Sequence, residues 1–295
     1  MYWQTTKWAA IMNVINFASG QEIRRRRETG LVRQSGPVTV ILPFFNEAKF
    51  IPATLNSLLA QRLCPTRIVL VDNASTDDGA ALCRAIAAKF RDIEIIIVNA
   101  ARPGKLYALE VGQNLISTEY VAFCDADTFY PPQYFETALN LLDRAKSNAV
   151  GALAVGVTAP ENSPQARRQI DRTILASKIF TKQCHCGGFG QIFRTRDFRA
   201  VGGYDSAIWP FVLEDHEIVH RLLSQGEIVY DENLWCETSP RRSDRKNVSW
   251  SRVEQLLYLL TPFELKRWFF YSLLAGSLRS RRLSNEALRE QPWAA

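Results

Sequence analysis

The sequence predicts an α/β fold in which a mostly parallel sheet is flanked by helices. Short apolar runs alternate with helical repeats through the first half of the chain, an order typical of parallel strands joined by right-handed crossovers. Polar or acidic residues directly follow several of the apolar runs. The chain has 295 residues, of which 47% are hydrophobic and 22% charged. It is therefore long and apolar enough to bury a core, and its composition excludes disordered and low-complexity classes.

The first half of the chain contains four predicted strands and three predicted helices. The strands are Val38–Leu42, Arg67–Val71, Ile93–Val98 and Tyr120–Cys124. The helices are Ile51–Gln61, Ala80–Lys89 and Leu106–Ile116. Ligands of parallel sheets bind at the carboxyl ends of the strands. We therefore expect a binding site to include Pro43–Glu47, Asp72–Asp77 and Asp125–Asp127.

The second half alternates less regularly and is expected to complete the site around the first. We predict helices and strands at Pro132–Lys146 (helix), Ala149–Val157 (strand), Gln165–Phe180 (helix), Gln191–Arg194 (strand) and Glu214–Leu223 (helix). Gly-rich segments at 187–190 and 202–205 separate them as a loop and a turn.

Carboxylates at two strand ends indicate a metal and nucleotide site. Asp125 and Asp127 end the fourth strand and offer the hard oxygen ligands that Mg²⁺ or Mn²⁺ prefers. The alternative for this pair is that an aspartate caps the following helix. Asp72 ends the second strand, where a carboxylate can accept hydrogen bonds from a base or a ribose, with Ser75 in the next turn. Lys105 follows Pro103-Gly104 at a helix start and can reach a phosphate.

A second acidic pair, Glu214 and Asp215, begins a helix. Acids in a first turn are usually favourable to the helix dipole and nothing more. A carboxylate on a rigid helix that faces a metal site also suits a general base. We expect His216 to line the adjoining pocket, and we do not expect zinc at His216 and His220. Arg241 and Arg242 are predicted to clamp a diphosphate, with a surface loop as the alternative.

Basic runs give the chain a net charge of +6. They lie at Arg24–Arg27, Arg241–Lys246 and Arg279–Arg282, and such runs suit either anionic partners or a solvated face. Aromatic residues do not interleave with them, so no nucleic-acid partner is expected. The six cysteines are scattered, which favours reduced thiols and a cytoplasmic location.

Neither a signal peptide nor a membrane-spanning helix is expected from the hydropathy pattern. Two segments, Tyr2–Phe17 and Val253–Leu278, place aromatic and apolar residues beside basic ones at helical spacing. Such segments can lie in a membrane interface, here the cytoplasmic face, or pack against the protein's own surface or a second copy. Both interpretations remain open from the sequence.

An ordered set of six motifs resembles the family 2 glycosyltransferases with the GT-A fold. The resemblance extends over Pro37–Arg242. The motifs are Val38–Glu47, Ile68–Asp78, Gly104-Lys105, Val121–Asp127, Gly202–Asp205 and Glu214-Asp215. The common Asp-Asp-Gly-Ser of the family appears here as Asp72-Asn73-Ala74-Ser75. The Gln-x-x-Arg-Trp of processive synthases is replaced by Ser239-Pro240-Arg241-Arg242, which favours the addition of one sugar at a time.

The resemblance implies an inverting transferase that moves one sugar from a nucleotide-sugar donor, commonly a UDP-sugar, to a hydroxyl of a lipid or glycan. It implies that Pro43, Asn46 and Glu47 lie near the nucleoside, that Asp72 holds the base, and that Lys105 lies by the nucleotide. Asp125 would then lie at the ribose of the nucleotide and also bind the metal, and Asp127 would bind the metal. Asp215 would be the general base, with Glu214 beside it.

The same resemblance implies a division of the chain. We expect a basic extension at 1–36, a catalytic domain at 37–245 with nucleotide and acceptor halves at 37–130 and 131–245, and C-terminal amphipathic helices at 246–295. Two alternatives remain. A sugar-nucleotide nucleotidyltransferase would need a Gly-rich basic signature that Pro43–Lys49 lacks, and a catalytically silent scaffold would be expected to lose one of the acidic positions.

Overall fold

The computed structural model describes residues 34–145, 148–239 and 250–289. The segment Tyr2–Phe17, the run Arg24–Arg27 and the pair Arg241 and Arg242 lie outside these residues. The strands are β1 Gln34–Phe44, β2 Leu63–Asp72, β3 Glu94–Asn99, β4 Tyr120–Cys124, β5 Thr128–Phe129, β6 Ala149–Leu153, β7 Val155–Val157, β8 Gly190–Arg194, β9 Glu227–Val229 and β10 Trp235–Thr238.

Helices alternate with the first four strands, as predicted. They are α1 Ile51–Leu59, α2 Gly79–Ala87, α3 Lys105–Gln113, α4 Tyr134–Arg144, α5 Pro164–Ile179, α6 Thr195–Ala200, α7 Glu214–Leu222 and α8 Arg252–Leu260. The chain then continues through a 3₁₀ turn Phe263–Leu265, α9 Lys266–Trp268, a π-helix Phe269–Leu274, α10 Ala275–Ser280 and α11 Asn285–Arg289.

A seven-stranded sheet in the order β3-β2-β1-β4-β8-β6-β9 forms the centre of the fold. The pairs β1–β2, β1–β4, β2–β3 and β6–β9 are parallel, and β8 runs antiparallel to β4 and β6. The expectation of a mostly parallel sheet flanked by helices is therefore confirmed. A second sheet in the order β5-β10-β7 lies beside it.

The predicted strand Ala149–Val157 is wrong as a single element. The chain leaves the large sheet after β6, and β7 pairs instead with β10 in the small sheet. Ala154 lies at the break, where its N–H donates to Gly190 O (2.8 Å) and the next N–H donates to Leu234 O (2.9 Å). Because both halves are buried and apolar, hydrophobicity alone cannot locate the break.

The two faces of the sheet carry separate apolar clusters. Val38, Val40 and Leu42 of β1 face the cluster that contains α1 and α4, whereas Ile41 faces the cluster that contains α3 and α7. This alternation follows from the two-residue period of a strand. A Cβ at Gly112 of α3 would lie 2.5 Å from Ile41 Cγ2, so glycine allows α3 to approach the sheet closely.

The C-terminal segment Val253–Leu278, which the sequence predicts to be amphipathic, is buried in one part and exposed in another. Phe269, Phe270 and Leu274 are fully buried in a cluster with Trp209 and Phe211, so packing on the protein's own surface applies to this half. Other apolar side chains of the segment remain exposed, namely Val253, Leu256, Leu260, Leu265 and Trp268. Across the described stretches, the helices are all too short or too polar to cross a bilayer.

Candidate active site

The turn that follows β4 presents two buried carboxylates at the edge of the sheet. Asp125 and Asp127 are 6% and 4% exposed. The Asp125 N–H donates to the Tyr130 hydroxyl (2.9 Å), which in turn donates to Phe189 O (2.6 Å). Ser239 N–H donates to Asp127 O (3.1 Å). The helix-cap alternative is wrong, because α4 begins at Tyr134 with Gln133 as its N-cap and without a side-chain cap bond.

Lys105 lies between the two acidic pairs. Its Nζ is 3.0 Å from Asp125 Oδ1 and 3.6 Å from Glu214 Oε1. Lys105 is the first residue of α3 and follows Gly104, whose φ of 134° suits glycine. The Gly104 N–H donates to Asn73 Oδ1 (2.7 Å). Asn73, a departure from the family pattern, therefore fixes the loop that positions Lys105.

Glu214 and Asp215 begin α7 directly after a strained residue. Leu213 adopts a left-handed conformation with φ 66° and ψ 26°, which is costly for a branched side chain and is frequent at functional sites. The preceding Val212 holds the loop in place, because its O accepts from Trp209 Nε1 (2.9 Å) and its N–H donates to Leu283 O (3.1 Å).

One side chain of the C-terminal segment contacts both Lys105's helix and the loop before Glu214. Asn285 is buried, and its Oδ1 accepts from Leu106 N–H at the start of α3 (3.3 Å). Its Nδ2 lies 3.3 Å from Pro210 O and 3.2 Å from Phe211 O. The last described helix therefore begins with a residue that joins two parts of the site.

The two neighbouring acids of α7 have opposite electrostatic environments. Burial raises the pKa of Glu214, although Lys105 acts in the other direction. Burial also acts to raise the pKa of Asp215, but the charge and hydrogen bonds of His216, together with Lys105, outweigh it and hold that pKa below its ordinary value. Asp215 is thus the acid that ionises more readily, which is the state a proton acceptor needs.

Three residues that the sequence did not single out as catalytic contact Asp215. His216 donates its backbone N–H to Asp215 Oδ1 (2.9 Å), and its ring Nδ1 lies 3.0 Å from the same oxygen. Gln191 Nε2 donates to Asp215 O (3.1 Å). A Cβ at Gly188 would lie 3.5 Å from Asp215 Cβ and 3.0 Å from Lys105 Nζ. The Gly-Gly pair at 187–188 was the only sequence signal for this close approach.

The rings of His216 and His220 pack against different aromatic neighbours. The His216 ring packs against Trp250 and Tyr258, with centroids 5.2 and 5.9 Å away. The His220 ring stacks on Phe270 at 5.0 Å, and burial lowers its pKa to about 4. His216 is therefore held between Asp215 and two aromatic rings, its role in lining a pocket stays a prediction, and His220 is a partly buried residue packed on Phe270.

The loops after β1 and β2 bring the predicted nucleoside residues together. Asp72 Oδ1 accepts from Ser75 N–H (2.9 Å), and Ser75 Oγ accepts from Asn46 N–H (3.1 Å). Asn46 has φ 52°, so it adopts a conformation that asparagine tolerates. Glu47 O accepts the N–H groups of Phe50 and Ile51 (both 2.9 Å) at the start of α1. Pro43 is a buried residue near the end of β1.

Two groups of predicted residues therefore meet at one edge of the sheet. Lys105, Asp125 and Glu214 are in direct contact, and Asp215 follows Glu214. Asn46, Asp72 and Ser75 form the second group, and Asn73 connects it to the loop of Lys105. The pair Arg241 and Arg242 stays a prediction outside the described residues.

The donor set at Asp125 and Asp127 fits a phosphate-bound divalent ion. Within the three described stretches, three His, Cys, Asp or Glu side chains are nowhere grouped closely enough to hold a metal ion. Mg²⁺ commonly uses only one or two carboxylates and takes its remaining ligands from substrate phosphates and water. Two buried carboxylates beside a lysine suit that arrangement and do not suit an all-protein cage.

Comparison with known proteins identifies the fold and a family. The model of the family described as glycosyl transferase family 2 matches residues 39–202. An uncharacterized glycosyltransferase of Escherichia coli K12, YaiP, is 24% identical over 75% of this chain and 56% of its own length. The undecaprenyl-phosphate 4-deoxy-4-formamido-L-arabinose transferase of Serratia proteamaculans is 32% identical over 32% of this chain and 30% of its own length.

A solved structure resembles nearly the whole chain. The mannosyltransferase PcManGT of Pyrobaculum calidifontis, in complex with GDP-Man and Mn²⁺, aligns with a TM-score of 0.61 over 97% of this chain and 88% of that one. Its sequence identity of 18% makes this a likeness of fold, and it confirms the GT-A architecture. The chain spans about half the length of curated relatives such as YaiP.

Proposed function

Because the chain belongs to glycosyl transferase family 2, whose model matches more than half of it, we propose that it transfers a single sugar from a nucleotide-sugar donor to a hydroxyl group. The observation that carries the proposal is the meeting of Lys105, Asp125 and Glu214 at the carboxyl edge of the sheet. A cation, a buried carboxylate and a pair of helix-borne acids are the groups that a diphosphate leaving group and an acceptor hydroxyl require.

The donor would bind along the ends of β1, β2 and β4. The linked loops of Asn46, Glu47, Asp72 and Ser75 would hold the nucleoside, with Pro43 at the base of that pocket. Lys105 would contact the diphosphate. We propose a UDP-sugar as the donor, following the family's common preference, and the likeness to a protein solved with GDP-Man makes GDP-sugars the first competitor.

Asp127 and Asp125 would hold a divalent cation, Mg²⁺ or Mn²⁺. When bound there, such an ion neutralises the charge that develops on the departing diphosphate. Asp125 would remain oriented by the bond from its N–H to Tyr130, and Lys105 would keep the pair of carboxylates from repelling the donor phosphates.

Asp215 would act as the general base of an inverting displacement. The bond between the anomeric carbon and the diphosphate oxygen breaks as the acceptor oxygen bonds to that carbon, and the acceptor's proton passes to Asp215. Its lowered pKa keeps the carboxylate ionised, whereas Glu214, whose pKa is raised, would hold Lys105. The acceptor hydroxyl would belong to a lipid or a glycan, and the name of the Serratia relative favours the lipid.

A thermal-shift screen of UDP-, GDP- and dTDP-sugars with and without Mn²⁺ tests donor binding. A ligand at about 100 times its Kd stabilises the folded state by about 2.7 kcal/mol, so the true donor should raise the Tm most, and more with Mn²⁺. Asp127→Asn should remove the Mn²⁺ increment, whereas Asp92→Asn, at an exposed position, should keep it. Absence of a shift with every nucleotide sugar would overturn the proposal.

A coupled assay of nucleotide release then tests transfer. Asp215→Asn should lower the transfer rate by about 10²–10⁴-fold, the contribution usual for a general base, while donor binding stays close to that of the wild type. Donor binding without any release by the wild-type chain would instead support the silent scaffold. Formation of nucleoside triphosphate and sugar 1-phosphate from the nucleotide sugar when pyrophosphate is added would support the nucleotidyltransferase.

A further inference from the structure

Apolar side chains are exposed along one face of α8 and at the end of α5. Val253, Leu256 and Leu260 of α8 are 67%, 56% and 69% exposed. They recur at three- and four-residue spacing and therefore share one side of the helix. On α5, Leu175 and Ile179 are 59% and 63% exposed and lie four residues apart. These five residues are called the apolar face below.

The two helix ends of the apolar face are fixed to each other. Gln183, just beyond α5, donates its Nε2 to Leu259 O of α8 (2.9 Å). Cys184 N–H donates to the Tyr258 hydroxyl (2.8 Å). Lys182 Nζ lies 5.6 Å from the centre of the Phe263 ring. Hydrogen bonds therefore hold the chain just after α5 against the end of α8, although the two segments are far apart in sequence.

Exposed basic residues lie close in sequence to the residues of the apolar face. The flanking exposed cations are Arg172, Lys178, Lys182, Arg252 and Arg267. From 171 to 182 and from 252 to 268, both within the described residues, the exposed acids are Asp171 and Glu264, because Glu254 is buried, so the exposed cations outnumber the exposed acids. An apolar surface with a cationic rim is complementary to a bilayer whose headgroups are anionic.

We propose that the apolar face rests on the surface of an anionic lipid bilayer. A second copy of the chain fits less well, because a two-fold interface would place the same cationic rim against itself. A bilayer accepts both features at once, since the leucines and isoleucine enter the interface and the lysines and arginines contact the headgroups.

The apolar face is connected to the candidate active site by a short loop. Phe180, which directly follows α5 and is 36% exposed, lies eight positions before Gly188 in the sequence. Eight residues span at most about 28 Å. A Cβ at Gly188 would lie 3.5 Å from Asp215 Cβ. If the proposed function holds, the general base would lie no farther from the end of α5 than roughly this span.

Vesicle co-sedimentation of the full chain tests the proposal. The probe is vesicles of phosphatidylcholine in which about a third of the lipid is phosphatidylglycerol, compared with phosphatidylcholine alone. The wild type should bind the anionic vesicles, and its binding should weaken with salt. Leu256→Ser combined with Leu260→Ser should lower the partition coefficient at least about tenfold, because two exposed apolar contacts are lost.

A matched control is Leu82→Ser, which removes a leucine that is 38% exposed on α2, far from α5 and α8 in the sequence. It should bind vesicles as the wild type does, and an unchanged Tm should show that the variants fold. Equal binding by the double variant and this control would overturn the proposal, as would a wild type that ignores anionic vesicles.

Light scattering after gel filtration separates the bilayer from a second copy. A dimer that the double variant dissociates, without vesicle binding by the wild type, would assign the apolar face to contact between copies and refute the bilayer. The vesicle assay contains no nucleotide sugar. Absence of vesicle binding would therefore refute the bilayer proposal without affecting a positive donor screen. A negative donor screen would refute the proposed function without affecting observed vesicle binding.

Discussion

The Asp215 carboxylate and the His216 imidazole lie side by side, with Oδ1 and Nδ1 3.0 Å apart, and the same oxygen also accepts the His216 backbone N–H at 2.9 Å. One residue therefore supplies two of the interactions that favour the ionised form of the proposed base. The charge and hydrogen bonds of His216 oppose the effect of burial on the pKa of Asp215.

Replacement of His216 should change the pH dependence of transfer. In the wild type the lowered pKa of Asp215 keeps the base ionised down to acidic pH, so the rate falls only when the pH drops through that value. His216→Ala removes the ring and raises this pKa, and the acid limb should then move to higher pH. Initial rates measured across the acidic range check the shift. His220→Gln, whose ring stacks on Phe270, should leave the limb in place at equal folded fraction.

Loss of the Lys105 charge should weaken donor binding. Lys105→Met leaves the buried carboxylates of Asp125 and Glu214 without the cation between them. The uncompensated carboxylates would repel the donor phosphates, and the bond from Lys105 to the donor would be lost. The Kd for the donor should rise by at least about tenfold, since charged hydrogen bonds contribute about 1.5–3 kcal/mol. Titration of the Tm shift with the best donor measures the change. Lys89→Met, at an exposed lysine after α2, is the control, and an equal loss there would count against a specific role.

A methyl group at Gly188 should disturb the site without unfolding the protein. The added Cβ would lie 3.0 Å from Lys105 Nζ, a distance that forces the ammonium group to move. We expect Gly188→Ala to lower both donor affinity and transfer rate while the Tm changes little. Gly276→Ala, where a Cβ meets no heavy atom within 4 Å, should be neutral or stabilising by up to about 1 kcal/mol because it lies in a helix. Indistinguishable kinetics for the two variants would refute the crowding argument.

The C-terminal aromatic cluster should contribute strongly to stability. Phe270 is fully buried, and its ring centroid lies 5.7 Å from that of Trp209. Phe270→Ala should lower the free energy of unfolding by about 3–5 kcal/mol through lost burial and a cavity. Trp268→Ala, at a side chain that is 56% exposed, should change it by less than about 1 kcal/mol. Urea unfolding of both variants gives the comparison, and similar midpoints would mean that the segment does not pack as described.

The hydrophobic pattern of the sequence was sufficient to predict the first half of the fold, in which strands close in sequence pair with each other. Strand β1 and its two parallel partners were predicted from apolar runs, and their shared carboxyl edge predicted that Pro43–Glu47, Asp72–Asp77 and Asp125–Asp127 belong to one site. The antiparallel strand β8 inserts between β4 and β6, and no local pattern encodes that order. The contacts of Gln191 and Gly188 with Asp215 depend on it, which is why the sequence did not reveal them.

The C-terminal segment illustrates a second limit. Phe270 and Leu260 are both large apolar residues at helical spacing in the sequence, yet one is fully buried and the other is 69% exposed. The difference arises from Trp209 and Phe211, which lie in a loop and offer a packing surface to only one side of the segment. A hydrophobic pattern identifies the faces of a helix, but it does not tell which face meets another part of the protein.

Asn285 joins two parts of the candidate site, the start of α3 and the loop before α7. A single amide receives a bond from the helix of Lys105 and lies within bonding distance of the loop that leads to Glu214. Under the proposed function, a substitution of Asn285 would therefore change two kinetic quantities at once. It would weaken donor binding and lower the rate of transfer to the acceptor. Second-site mutations that restore donor binding to such a variant should also restore the transfer rate, and the reverse should hold. Genetic selection could therefore reveal that the two defects share one residue.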